Sequence, residues 1–201
     1  MRVRNAVAQD REHVVAVFTR AFARDAIVRF LFPDDGTWPD RAALFFGHYF
    51  DVRLAGGEIS VCEDGGVVGA SLWNPPGGNR RGPGFVEEHW QRTVVAAIDP
   101  DEVARYESFK KVLEAMTPEE PHWYLGLLGT EPDRQGTGIA RALLTPMLAR
   151  ADAEGAPVFL ETGMAKNIAI YERFGFATIA ESEVPSGPRI RGMVRRAGGE
   201  L

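Results

Sequence analysis

A chain of 201 residues with 28 acidic and 23 basic side chains carries a formal net charge of −5, which argues against general nucleic-acid binding, because that needs a basic face against phosphates. Its 45% hydrophobic and 25% charged content excludes disordered and fibrous classes, and its length suits one domain with a sizeable core or one domain carrying an insertion. The single cysteine, Cys62, excludes a disulfide scaffold and any cysteine-clustered metal site.

No apolar run is long enough for a bilayer span, and Met1–Asn5 opens no secretory signal. A cytoplasmic protein without a membrane partner is expected. Val3–Val7 reads as a first strand, with Asp10 placed to cap the following helix through its carboxylate. Val14, Val17, Phe18, Ala21 and Phe22 then fall on one helical face. Phe32–Gly36 is loop chemistry. Thr37 begins a second helix with Asp40 as a capping-box partner, Pro39 in its first turn, and Leu44, Phe45, Tyr49 and Val52 inward.

Glu58–Glu63 and Val67–Trp73, joined by Asp64-Gly65-Gly66, form a hairpin signal. Cys62 lies in this hairpin, where a buried and inert thiol is the expected reading. Asn74–Gly84 is saturated with proline and glycine and cannot be regular. Helices at about 85–97 and 101–116 follow, the second with Val103, Tyr106, Leu113 and Met116 on one face. Pro118 and Pro121 close the region. Next come a strand at His122–Gly129, a helix at about 136–154, a strand at Pro157–Thr162, a short helix at about 166–174, and strands near Phe176–Ser182 and Arg189–Arg195. The expected architecture is one α/β domain over residues 1–201, antiparallel early and crossing over once by helix. The pairs Arg80-Arg81 and Arg195-Arg196 are expected in solvent.

Chemistry concentrates in Leu127–Leu144, where a strand, the loop Gln135-Gly-Thr-Gly-Ile-Ala140 and a helix follow one another. Small residues at 136, 138 and 140 let main chain approach a ligand, and the helix start offers unpaired amides and a positive dipole end. That suits a pyrophosphate. A dinucleotide fingerprint fails because Arg141 stands where a third small residue is needed, and a P-loop fails for lack of Gly-Lys-Ser/Thr. Pro146 should kink the helix or cost it a hydrogen bond.

Gln135-Gly-Thr-Gly-Ile-Ala140 resembles the acyl-CoA signature Gln/Arg-x-x-Gly-x-Gly/Ala of the GNAT acyltransferase superfamily. It is preceded by a Thr130-Glu-Pro132 turn and followed downstream by Tyr171-Glu-Arg-Phe-Gly-Phe176, another family feature. Residues 121–196 carry most of the likeness. Within them Phe159-Leu-Glu-Thr162, Asn167 and Val184-Pro-Ser-Gly-Pro188 resemble the puromycin N-acetyltransferase branch.

The resemblance implies the GNAT fold, a mixed and mostly antiparallel central sheet flanked by helices, with residues 74–121 as a helical insertion that sets acceptor choice. It implies acetyl-CoA as co-substrate without a metal, and direct attack on the thioester by a primary amine of a small molecule, an aminonucleoside or other antibiotic among the candidates. Leu128, Gly129 and Thr130 would meet the pantetheine arm and thioester, and amides of Gln135, Gly136, Thr137, Gly138, Ile139 and Ala140 the pyrophosphate. Asn167 would touch the cofactor, replacing the more usual family position, here Met164. Tyr171 aligns with the general acid that protonates the departing sulfur. Glu161 is the candidate base, with a structural carboxylate as the equal alternative.

Glu131, at the neighbouring strand end, is expected to point to solvent. His48, His89 and His122 are read as structural. Trp73, Phe85, Trp90, Phe45 and Tyr49 are open as an aromatic pocket lining or as core. A non-catalytic acyl-CoA-binding or regulatory module, and an enzyme acting on a protein amine, are the alternatives. A homodimer is left open.

Overall fold

Apolar residues at strand spacing pair seven segments into one sheet: β1 (Arg2–Asn5), β2 (Glu58–Glu63), β3 (Val67–Asn74), β4 (Trp123–Thr130), β5 (Val158–Thr162), β6 (Ala177–Glu183) and β7 (Arg189–Arg195). Their spatial order is β1-β2-β3-β4-β5-β7-β6. The computed structural model describes residues 1–198. Every pairing is antiparallel except β4 with β5.

Helices cover both faces. α1 (Arg11–Ala21), α2 (Ala26–Leu31), α3 (Trp38–Gly56), α4 (Pro83–Thr93) and α5 (Pro100–Met116) contribute to the larger apolar cluster, which holds Phe18, Leu31, Phe46, Phe50, Trp90 and Phe109. α6 (Ile139–Ala153) and α7 (Ala165–Glu172) pack on the opposite face around Trp73, Trp123, Leu144, Leu148 and Phe174. Burial on both faces explains why β2 and β3 read as nearly continuous apolar runs. Each fully buried large side chain contributes about 1.5–3 kcal/mol.

Several local expectations are corrected. The carboxylate of Asp10 does not cap α1; it accepts from Val7 N at 2.8 Å and from Arg4 at 2.7 and 2.8 Å. A guanidinium outcompetes neutral amides for it. Thr37 sits at the start of α3 without a side-chain cap bond, and Asp34 rather than Asp40 supplies the local acceptor, to Thr37 N at 2.9 Å. α2 was not expected; Asp25 caps it by accepting from Ile27 N and Val28 N. The helix expected over 85–97 is α4 followed by a separate 3-10 turn at Val95–Ala97.

The chain also crosses over twice. After β4-α6-β5, a second helical connection, β5-α7-β6, reaches the far edge and β7 returns between. α6 runs through Pro146 without a break. Arg195 is not in solvent but fully buried, since it lies on the inward side of β7. It holds Asp152 at 2.6 and 2.8 Å and donates to Phe174 O at 2.9 Å.

Candidate active site

The middle of the sheet opens where β4 and β5 part. They pair only at Trp123 with Val158 and Tyr124 with Phe159, so from Leu125 onward β4 has no strand partner on that side. On its other side β4 follows β3, with a bulge that makes Gly126 the extra residue between Leu125 and Leu127. A bulge re-aims the side chains beyond it. Two cavities occupy the gap.

The larger, of about 510 Å³, lies at the start of α6 and is lined by Leu128–Thr130, the Gln135–Ala140 loop and α7. Gly136 and Gly138 adopt φ of 81° and 90°, and a side chain placed at either would meet nothing within 4 Å. Backbone conformation, not crowding, therefore demands glycine. The first intrahelical bond of α6 runs from Ala142 N to Gly138 O at 2.9 Å, which leaves the amides of Ile139, Ala140 and Arg141 without helical partners. Gly138 supplies no side-chain cap to take them. Around the cleft stand five cations, Arg24, Arg134, Arg141, Lys166 and Arg173, against one carboxylate, Asp25. In a chain of net charge −5 that local excess, together with open amides at a helix start, fits a ligand rich in phosphate.

The smaller cavity, of about 110 Å³, continues inward between α3, α5, β4 and β5, lined by Phe45, Tyr49, Arg53, Tyr106, Tyr124 and Glu161 among others. Tyr171, Asn167, Leu128, Phe22 and Asp25 border both cavities. Glu161 accepts from the Tyr124 hydroxyl through Oε1 at 2.9 Å, while its Oε2 is buried without a hydrogen-bond partner. Burial pushes its carboxyl up to about 7, against the opposing pull of Tyr124 and Arg53. Tyr171 is buried, edge-on to Phe176 at 5.7 Å. Burial, with Glu161 and Asp25 nearby, raises its phenol above the ordinary value.

Of the residues expected at the cofactor, Leu128, Gly129, Thr130, Gln135, Gly136, Gly138, Ile139, Ala140 and Asn167 line the larger cleft. Thr137 does not; its hydroxyl turns back to Arg134 O at 2.7 Å. Asn167 Nδ2 donates to Thr162 Oγ1 at 3.4 Å. Glu161 opens only to the inner cavity, with Tyr171 at the boundary. Glu131 is not turned to free solvent: Arg20 holds it in an ion pair. Phe45 and Tyr49 line the inner cavity, whereas Trp73 faces the opposite cluster.

His48 is buried, 2.9 Å from His89 through the Nδ1 atoms, and burial pushes it down to about 3. Cys62 is fully buried and its thiol raised. Arg53, Tyr124 and Asp25 are the additions that sequence did not single out, and Tyr106, read from sequence only as part of a helix face, also reaches the pocket. Arg53 had a signal: it continues Phe45 and Tyr49 at four-residue spacing, a charge on an apolar stripe.

Residues 25–176 match the model of the acetyltransferase (GNAT) family. Over 123 residues the chain is 31% identical to an uncharacterised N-acetyltransferase of Schizosaccharomyces pombe, covering 58% of this chain and 50% of that protein; the chain thus spans about half the length of the curated relative it matches. A solved structure from Corynebacterium glutamicum, described as histone acetyltransferase HPA2 and related acetyltransferase, is similar with a TM-score of 0.71 at 24% identity, over 99% of this chain and 97% of that one. The ribosomal-protein-S18-alanine N-acetyltransferase of Escherichia coli gives 0.56 at 15% identity, over 100% and 96%. At such identities the two structures speak to the fold.

Proposed function

Because the chain belongs to the acetyltransferase (GNAT) family, we propose that it transfers an acetyl group from acetyl-CoA to the primary amine of a small molecule. The observation that carries this reading is the meeting of a cationic, amide-lined cleft with a small buried pocket at Tyr171. Donor and acceptor would enter from opposite sides and meet there.

In the larger cleft, amides of the Gly136–Ala140 loop and the α6 start hold the pyrophosphate, and the surrounding cations add attraction. The unpaired edge of β4 near Leu128 offers main-chain groups to the pantetheine arm and a donor to the thioester oxygen. Glu161, with its carboxyl near neutrality, takes a proton from the incoming ammonium directly or through water, leaving a neutral amine. The amine forms its bond to the acetyl carbon as the carbon–sulfur bond breaks. Tyr171, held protonated, gives its proton to the sulfur as the carbon–sulfur bond breaks; because a phenol is a weaker acid than a thiol, with reference pKa values of about 10 and about 8.5, this transfer runs uphill and has to be drawn on by reprotonation of the phenolate. The second proton shed by the amine nitrogen passes to the Tyr171 phenolate, which restores the acid and leaves an amide, the free CoA thiol and one proton on Glu161 for release to solvent.

An inner pocket of about 110 Å³ is well below the roughly 300–1,000 Å³ usual for larger ligands, which supports a small acceptor or a small end of one. α5, from the 74–121 segment, supplies Tyr106, Phe109, Lys110 and Leu113 to its wall, so acceptor choice resides partly there. The test is acetyl-CoA-dependent release of free thiol over a panel of amines, with aminonucleosides included because residues 121–196 resemble the puromycin branch. A short peptide amine tests the protein-acceptor alternative. Failure to bind acetyl-CoA would overturn the reading. Tight binding with no turnover on any amine would replace it with a binding module.

A further inference from the structure

Arg53 is the most anomalous side chain in the inner pocket. It comes from the buried face of α3 and is 3% exposed. Its guanidinium lies over the Tyr49 ring at 4.8 Å, in space that Gly126 leaves free by lacking a Cβ. Nε is buried without a hydrogen-bond partner, and no carboxylate among the described residues stands within ion-pair distance. A buried cation with no counter-ion costs several kcal/mol, so the fold carries it at a loss.

Across the same cavity Glu161 Oε2 is also buried and unpartnered. One wall therefore presents a fork of donors and another an acceptor, with about 110 Å³ between elements that bear them. Tyr49, Tyr106 and Tyr124 complete the lining with phenols, of which Tyr49 and Tyr106 already contact each other at 3.3 Å. The other charges are Lys110, with Glu87 3.8 Å away, and Asp25, whose Oδ1 accepts from Ile27 N and Val28 N at the start of α2. A purely cationic amine would have to approach Arg53 without relief. An anion alone would leave Glu161 unanswered.

Resting on the acetyltransferase reading, we propose that the acceptor is an amine that also carries a carboxylate, a small amino acid, with its carboxylate on Arg53 and its amine beside Glu161 and Tyr171. A planar guanidinium matches a carboxylate bidentately. The short distance between the two functions of an α-amino acid suits a pocket of this size, and the aromatic wall of Phe45, Tyr49 and Tyr106 suits an apolar or aromatic side chain.

The experiment uses matched triads: a free α-amino acid, its carboxamide and its decarboxylated amine, across several side chains, followed by thiol release from acetyl-CoA. The free acid is expected to exceed both partners by about 100-fold in kcat/KM, the scale of charged hydrogen bonds lost from a buried site. Arg53→Gln is expected to abolish that preference while acetyl-CoA affinity stays unchanged, and Arg53→Lys to retain part of it. Because either variant can fold poorly, calorimetry on the wild-type protein with CoA present compares the same triads, and only the free acids are expected to bind. Removing an unanswered charge should also raise Tm in Arg53→Met.

Equal turnover of acid, amide and amine would overturn the proposal and leave the acetyltransferase reading intact, with the orphaned atoms then bridged by water. So would a preference for peptide amines. Loss of acetyl-CoA binding in the wild-type protein would remove both.

Discussion

The two cavities are built on opposite principles. The outer cleft is centred on one contiguous stretch, the end of β4, the Gln135–Ala140 loop and the start of α6, with α7 and the end of α1 completing its wall and cations around it. The inner pocket is smaller and is assembled from side chains of α2, α3, α5, α7, β4 and β5. A backbone cradle can serve any ligand with the right phosphate geometry, so it speaks to the phosphate-bearing partner and not to the acceptor. A pocket of scattered side chains is where selectivity is expected, and those of its residues that do not also line the outer cleft, Arg53, Tyr106 and Glu161 among them, can be exchanged without touching the cradle.

The sharpest test of this division lies on the boundary. Tyr171→Phe keeps the ring against Phe176 and removes only the phenol proton, so kcat should fall by about 100- to 10,000-fold with acetyl-CoA affinity unchanged in calorimetry. Unchanged kcat would take the acid role from Tyr171. Glu161→Gln should lower kcat/KM by about 100-fold and erase an ascending limb near pH 7, the value to which burial pushes this carboxyl. A retained limb would move the base elsewhere.

The same substitution tests linkage. The folded carboxyl holds its proton more tightly than the unfolded one, about 7 against 4.5. Its contribution to stability is thus full below pH 4.5 and lost as pH rises through 7. Glu161→Gln should therefore exceed the wild type in thermal unfolding at pH 8, by on the order of 3 kcal/mol, and match it at pH 4. On the outer side, Gly138→Ala forces a side chain into φ of 90°. The strain of about 1–2 kcal/mol should weaken acetyl-CoA binding about tenfold and leave acceptor preference untouched. Smallest is a salt effect: raising ionic strength should weaken acetyl-CoA binding a few-fold through the cationic rim, with acceptor KM nearly constant.

What sequence reveals follows the same division. The Gln135–Ala140 loop and Tyr171 are legible because their chemistry is contiguous and lies next to a periodic helix. Arg53, Tyr124 and Asp25 sit on three separated elements and meet only through the bulge at Gly126 and the parting of β4 from β5, neither of which leaves a local mark. α2 has six residues, too few for a helical period to stand out between Asp25 and Pro33. Arg195 is illegible in sequence because a charge pair suggests surface, while strand alternation turns one member inward onto Asp152. The aromatic residues divide by face: Phe45 and Tyr49 reach the pocket and Trp73 the other side.

The two-pair contact between β4 and β5 has a mechanical consequence. The sheet is two panels, β1–β4 and β5–β7, stitched in their own hydrogen-bond ladder at one end and left ajar at the other. A molecule that fills the gap and bonds to the β4 edge acts as mortar between them. Those amides of Leu125–Thr130 that face the gap rather than β3 should therefore exchange hydrogen quickly in the free protein and slowly with acetyl-CoA bound, and the panels should melt together rather than apart once the ligand exceeds its Kd.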